Sequence, residues 1–316
     1  MIANLYLHSE AFRYNGSDSE ETVVVKIKLL LNDIVDIVYK YRAENVFKTS
    51  NDLVYNCYIY KQIGLMEFIE KHLDMDESTL FYSMLTDVSE KYDLSYDELN
   101  NLCLYRESET EVNSLLVINT PVDNGHITRK KIYLSFDEYK VVYSKDSWIT
   151  LRRQILGNHP ENAENYIEEA KKYFPKIYFH DNCVNSLKQD NYLEIIPRKI
   201  TLYLACLNDK FYAIRKKYKP NSDRNNILKS FSGECGLDAV ASLEGNIGKK
   251  KSMTFNFLMD NKNITVCCEP HLKISQEDDN YKGNVHYNTF HPRIYFAFDV
   301  NGYDNKIFVG SIGPHL

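Results

Sequence analysis

Eight of the twelve glycines in this chain of 316 residues (Gly233, Gly236, Gly245, Gly248, Gly283, Gly302, Gly310 and Gly313) fall after residue 232. Glycine accepts the backbone angles of tight turns without steric cost, so this density predicts a strand-and-turn region at the C-terminal end. Four apolar runs agree: MTFNFLMD (253–260), NITVCCEPHLKI (263–274), RIYFAFDV (293–300) and KIFVGSIG (306–313). Asp260-Asn261-Lys262-Asn263 and Asn301-Gly302-Tyr303-Asp304-Asn305 have hairpin-turn chemistry. We expect these runs to form one four-stranded antiparallel sheet, entered through a short helix at 237–243.

Upstream, the apolar spacing is mostly helical. Residues 21–44 open on acidic residues that suit a helix N-terminus and carry Val25, Leu29, Ile34, Ile37 and Val38, which predicts a long buried helix. Helical periodicity continues over 51–73 and 77–103, where Ser95 stands three positions before Glu98, the capping-box spacing. Strands are expected at 3–7, 112–120 and 130–136. Helices follow at 161–173, 183–188 and 194–217, the last with Ile200, Tyr203, Leu204, Leu207, Phe211 and Ile214 on one face. Gly157-Asn158-His159-Pro160 reads as a linker, giving a mostly helical domain of residues 1–158 and a second of 159–316. The fold class is α+β: a largely helical N-terminal α/β region, then helices and the antiparallel sheet.

Composition is that of a folded protein, 44% hydrophobic and 26% charged. A chain this long buries enough surface to need no staple. The seven cysteines (Cys57, Cys103, Cys183, Cys206, Cys235, Cys267 and Cys268) are odd in number and include no C-x-x-C pair. They indicate neither a secreted disulfide framework nor a ribbon-type zinc site, and a reducing cytoplasm fits. The N-terminus has no basic stretch leading into an apolar core, and VVVKIKLLL is interrupted by Lys26 and Lys28, so neither secretion nor membrane contact is expected. The net charge of −6 conceals an asymmetry: residues 201–316 carry 15 Lys+Arg against 12 Asp+Glu, whereas the first 200 carry 23 against 32. The basic surplus sits on the strand side, where nucleic acid would bind. The 25 tyrosines are spread throughout and read as packing residues.

Four of the nine histidines, His271, His286, His291 and His315, also lie on that side. Residues two apart on a strand share a face, which groups Glu269, His271 and Lys273. With Arg293 opening the next strand and His315 following the last, titratable groups and cations converge if these strands are neighbours. That set suits phosphodiester chemistry: a base for a hydroxyl, cations for the phosphorane and an acid for the leaving oxygen. Other chemistries have weaker signals. Imidazoles with Glu269 present zinc-ligand atoms, but no H-E-x-x-H or H-x-E…C-x-x-C arrangement occurs, so neither metal nor cofactor is expected. Adjacent Cys267 and Cys268 must put one thiol toward the core. No P-loop sequence is present, and GNIGKKKS (245–252) offers Lys249, Lys250 and Lys251 for general attraction to phosphates. Arg215, Lys216 and Lys217, with Tyr295 on the third strand, complete the expected RNA-contacting set.

The closing run HPRIYFAFDVNGYDNKIFVGSIGPHL resembles the last strand pair of RelE-superfamily ribonuclease toxins, particularly the YoeB and HigB branches. It has an Arg-apolar-aromatic strand, a hairpin turn, an apolar strand and a penultimate His, and the likeness extends over about 200–316. Residues 200–217, which read as helix, do not supply the first strand of that fold. The resemblance implies metal-independent RNA cleavage in which the ribose 2′-OH attacks the adjacent phosphate and leaves a 2′,3′-cyclic phosphate. Arg293 would be the phosphate-stabilising arginine, His315 the acid or base, and Lys273 with His271 the cations of the second strand. The family's glutamate base has three candidates here, Glu234, Glu244 and Glu269. RNA, generally mRNA on the ribosome, is the implied partner, and an antitoxin or inhibitory protein a second. On this reading the first domain senses, recruits or restrains, as in a toxin or an antiviral defence effector. A non-enzymatic RNA- or protein-binding scaffold and a metal-dependent DNA nuclease are the competing readings.

Overall fold

A computed structural model describes residues 1–12, 14, 16–41, 43–105, 111–116, 141–237, 239–245, 247–259, 261–274 and 292–316. The strand expected at 130–136, the end of the one at 112–120, and both His286 and His291 lie outside the described residues. The chain divides into two compact units, Met1–Arg152 and Arg153–Leu316. No helix among the described residues is long and apolar enough to cross a membrane.

The first unit contains β1 (Ile2–Leu7), α1 (Glu20–Val35), β2 (Asn45–Ser50), β3 (Tyr58–Tyr60), β4 (Ile63–Gly64), α2 (Leu65–His72), α3 (Met75–Ser83), β5 (Glu90–Tyr92), α4 (Tyr96–Tyr105), β6 (Glu111–Leu116), β7 (Val141–Val142) and α5 (Lys145–Asn158), which crosses the unit boundary. Its main sheet runs β5-β2-β1-β6-β7 with every pairing parallel. β1 is buried from Ala3 to Leu7, the continuous burial of a central strand covered on both faces. The unit is therefore less helical than its periodicity implies. Residues 51–73 hold the β3–β4 pair ahead of α2, and β5 interrupts 77–103. The capping box at Ser95 forms as expected: the Glu98 amide donates to Ser95 Oγ (3.3 Å) and the Ser95 amide to Glu98 Oε2 (2.8 Å). α1 is capped by Ser19, whose hydroxyl accepts from the Thr22 amide. Its buried stripe is Val23, Ile27, Leu30, Leu31 and Ile34, while Val25 and Leu29 are exposed. Ile34, Ile37 and Val38 of the expected stripe are buried, and only its first two members miss, because the start of α1 is apolar around much of its circumference, which blurs the 3.6-residue period.

The second unit contains α6 (Ala163–Tyr173), β8 (Ile177–Phe179), α7 (Asn182–Leu187), α8 (Tyr192–Ile195), α9 (Pro197–Asp209), α10 (Phe211–Arg215), α11 (Arg224–Cys235), β9 (Thr254–Met259), β10 (Lys262–Cys267), β11 (His271–Lys273), β12 (Arg293–Ala297) and β13 (Ile307–Gly313). The face expected along 194–217 is buried at all six positions, although the helix breaks into three. The described residues of 237–243 form no helix; Ser242 instead makes an antiparallel bridge to His271.

The four C-terminal runs do not form one antiparallel sheet. β9 and β10 pair with each other as a separate hairpin, and the four-stranded sheet is β11-β12-β13-β8. Its first three strands are antiparallel, but β13 pairs with β8 in parallel, so the sheet is mixed. The cause is Pro270. A proline cannot donate to a strand ladder, so the run 263–274 splits there into β10 and β11. The freed hairpin covers one face of the sheet, where Met253, Phe255, Phe257, Val266 and Cys268 enclose Tyr295, Ala297 and Phe308. Of the adjacent cysteines, Cys268 is buried and Cys267 exposed. β12 shifts register between Tyr295 and Phe296, opposite Gly310. A Cβ on Gly310 would lie 2.3 Å from the Phe255 ring, so only glycine lets the hairpin settle there. Gly313 has the same role against α7, where a Cβ would meet the Ser186 carbonyl at 2.6 Å.

Candidate active site

The sheet register brings the expected residues to one place. Across β11 and β12, His271 pairs with Tyr295 and Lys273 with Arg293; across β12 and β13, Arg293 pairs with Gly313, two residues before His315. Ser242 and Lys249, from the stretch after α11, both reach this end of the sheet. Backbone bonds tie Ser242 to His271 in both directions (2.9 and 3.2 Å), and Ser242 Oγ lies 3.2 Å from His271 Nε2.

Lys249 Nζ contacts His315 Nδ1 at 3.0 Å and donates to the Leu316 carbonyl at 3.1 Å. An ammonium only donates, so His315 accepts at Nδ1 and its proton sits on Nε2, which faces Glu244 Oε2 at 3.5 Å. Lys249, His315 and Glu244 thus form a line from cation through imidazole to carboxylate. Lys250 pairs with Glu269 at 3.4 Å. Both carboxylates are largely enclosed, and the His315 side chain is about one-third exposed.

Arg293 has an unusual environment. Its Nη1 donates to the Tyr295 hydroxyl at 3.2 Å. Its Nε is buried with no hydrogen-bond partner, and among the described residues the guanidinium makes no ion pair. A buried donor without an acceptor costs about 1–3 kcal/mol, more when charged. Such a cost is expected at a site that awaits a ligand. A side-on guanidinium edge matches two oxygens of a carboxylate or phosphate.

His271 is 3% exposed, and its pKa is pushed down to about 4 by burial, with the charges of Arg293 and then Lys273 adding to the effect. It is therefore a neutral imidazole at ordinary pH and not one of the cations of the site. Lys273 is exposed at the rim beside Arg293.

Several expected contacts fall elsewhere. Tyr295 is fully enclosed by the hairpin and by His271, at a ring distance of 5.3 Å, so it presents no face to a base; the apolar alternation that marked it as a strand residue also placed it inward. Arg215 is held by Asp299 (2.7 Å) and by the carbonyls of Tyr218, Lys219 and Pro220, which makes it a lock on the turn after α10. Lys217 pairs with Glu234 at 2.8 Å, while Lys216 and Lys251 are exposed. None of the contacts of Arg215 and Lys217 reaches the residues around His315. What the sequence under-read was the segment 241–250. Its lysines appear there as a solvated run, whereas Lys249 and Lys250 both face acidic or imidazole partners. The available signal was Glu244 placed five residues ahead of Lys249 in a glycine-bounded loop. Among the described residues no three His, Cys, Asp or Glu side chains are grouped as a metal site requires. No protein-family model, curated protein or solved structure matches the chain.

Proposed function

We propose that this chain is a toxin-type endoribonuclease of a bacterial defence system, which cleaves RNA by attack of a ribose 2′-OH on the adjacent phosphate. The observation that carries this reading is Arg293, a half-buried cation whose Nε is unmet and which makes no ion pair among the described residues, joined through the Tyr295 hydroxyl to the peptide that follows His315. The unpaired guanidinium edge binds the non-bridging phosphate oxygens, and Lys273 at the rim adds charge. The bond from 2′-O to phosphorus forms as the bond to 5′-O breaks. The 2′-OH proton goes to the Glu244–His315 couple and a proton from the same couple goes to the leaving 5′-O, leaving a 2′,3′-cyclic phosphate. Lys249, bonded at Nδ1, holds the imidazole so that Nε2 is the nitrogen that exchanges its proton with Glu244. Ribosome-bound mRNA as substrate, an antitoxin as partner, a cytoplasmic setting and a sensing role for the first unit belong to the same proposal.

Purified protein is expected to cleave RNA in the presence of EDTA and to leave cyclic phosphate ends. Arg293→Ala and His315→Ala should each lower the rate about a thousandfold while the protein remains folded. Undiminished cleavage in both variants overturns the assignment. Metal-dependent cleavage leaving 5′-phosphates replaces it with the DNA-nuclease class, and binding without cleavage replaces it with the scaffold.

A further inference from the structure

The Tyr295 hydroxyl accepts two hydrogen bonds, from Arg293 Nη1 at 3.2 Å and from the Leu316 backbone amide at 3.1 Å. A phenol oxygen has two acceptor positions, and both are filled. One donor belongs to the anion-binding side chain, and the other to the peptide that follows His315. A single buried oxygen therefore ties the cation to the peptide that carries the imidazole. The ring beneath it is immobilised by its full burial against His271 and the β9–β10 hairpin. Occupying Nη1 also fixes the guanidinium plane, so that the edge left unpaired is the one carrying Nε. Misplacement of a reacting group by a fraction of an ångström is enough to slow a reaction substantially.

We infer that Tyr295 is a positioning residue, whose oxygen holds Arg293 and the His315 peptide in register so that one phosphate meets both. This rests on the reading of the site as a phosphodiester-cleaving centre. The geometry sets the ligand class at Arg293 as an oxyanion, and the phosphate expected from that reading can be probed without any cleavage.

The test compares the full-length protein with Tyr295→Phe, which deletes the oxygen and keeps the ring. On an RNA substrate kcat should fall about thirtyfold with KM changed less than threefold, and the pH–rate limb contributed by the His315–Glu244 couple should move. Titration with inorganic phosphate, followed through the Arg293 Nε–H resonance by NMR, should give a shift in the wild type that weakens at least fivefold in the variant. Equal kcat, an unmoved pH limb and equal phosphate response in the two proteins overturn the inference. A wild type that shows the phosphate response, reduced in Tyr295→Phe, but cleaves no RNA retains the positioning role and rejects the nuclease reading. If Tyr295→Phe does not fold, 3-fluorotyrosine at 295, which weakens the oxygen as an acceptor without changing its shape, carries the same comparison; wild-type kcat, pH profile and phosphate response in that protein would equally overturn it.

Discussion

Several polar residues at the end of the first unit's sheet bond to one another across neighbouring loops, whereas at the end of the second unit's sheet a guanidinium keeps an unmet donor. In the first unit Ser9 Oγ donates to Asp52 Oδ2 at 2.6 Å, the Tyr92 hydroxyl donates to the Leu7 carbonyl at 3.2 Å, and His8 Nδ1 accepts the Glu10 amide at 3.2 Å. These bonds close the loops that follow β1, β2 and β5 onto each other. In the second unit Arg293 retains a buried donor without an acceptor, and a histidine stands between a lysine and a glutamate. A carboxyl edge of a parallel sheet is a frequent ligand site. On the proposed reading it is instead the mixed sheet that carries the chemistry, since it keeps the unmet guanidinium donor.

The largest effect that separates the two ends is on rate. Glu244→Gln should lower RNA cleavage at least a hundredfold with little change in melting, because the carboxylate facing His315 Nε2 is removed while its shape is kept. Asp52→Asn should do the reverse, leaving cleavage unchanged and lowering stability by about 1–2 kcal/mol through the Ser9 bond. Parallel rate assays and denaturant melts of the two variants decide it. If Asp52→Asn also loses cleavage, the first unit's edge takes part in the chemistry and the contrast fails.

A smaller effect sharpens the contrast from the stability side. Arg293→Met replaces the guanidinium with an apolar chain of similar reach, so the unmet Nε–H disappears. Its melting should match or exceed that of wild type by about 1 kcal/mol although cleavage is lost, the exchange expected where a site keeps an unfavourable group for function. A marked loss of stability would mean that Arg293 is a structural ion, and the site reading would lose its main support.

How far these features can be read from the sequence depends on how local their causes are. Strands β9, β12 and β13 were evident because turn residues bound each apolar run, and the grouping of His271, Arg293 and His315 followed from expecting their strands to be neighbours. Pro270 was visible, yet its effect was not, since splitting 263–274 matters only when the hairpin has a face to cover. β8 has three residues and lies between two helical stretches, so no alternation could reveal it. β5 is equally short, and its place beside β2 is a matter of crossover topology. Glu244 could be named as a candidate but not separated from Glu234, because the distinction lies in which lysine or imidazole the fold brings to each. Tyr295 was misjudged since aromatic residues near a basic surface and aromatic residues in a core share the same strand pattern.

The smallest expected effect concerns acid, and it links the two ends through their histidines. Burial lowers the pKa of His8, against the pull of Asp52 and Glu10, and burial together with Arg293 and Lys273 brings His271 to about 4. An unfolded histidine titrates near 6.5, so between about pH 6.5 and 4 the unfolded chain binds protons that folded His271 refuses. The stability contributed by its neutral form is therefore complete above pH 6.5 and is lost as the pH falls toward 4. His271→Gln can still bond to Ser242 and should flatten the fall in melting temperature over that window by close to one proton's worth of slope. Arg293→Met should flatten it less, because it removes the second cause and leaves burial in place. His8→Gln should flatten it as well, but independently of Arg293. Melting curves collected from pH 7 to 4 for the single and double variants test the coupling: additivity of His271→Gln with His8→Gln, and non-additivity with Arg293→Met, is the expected pattern. Full additivity in both pairs would show that the field of Arg293 does not reach His271.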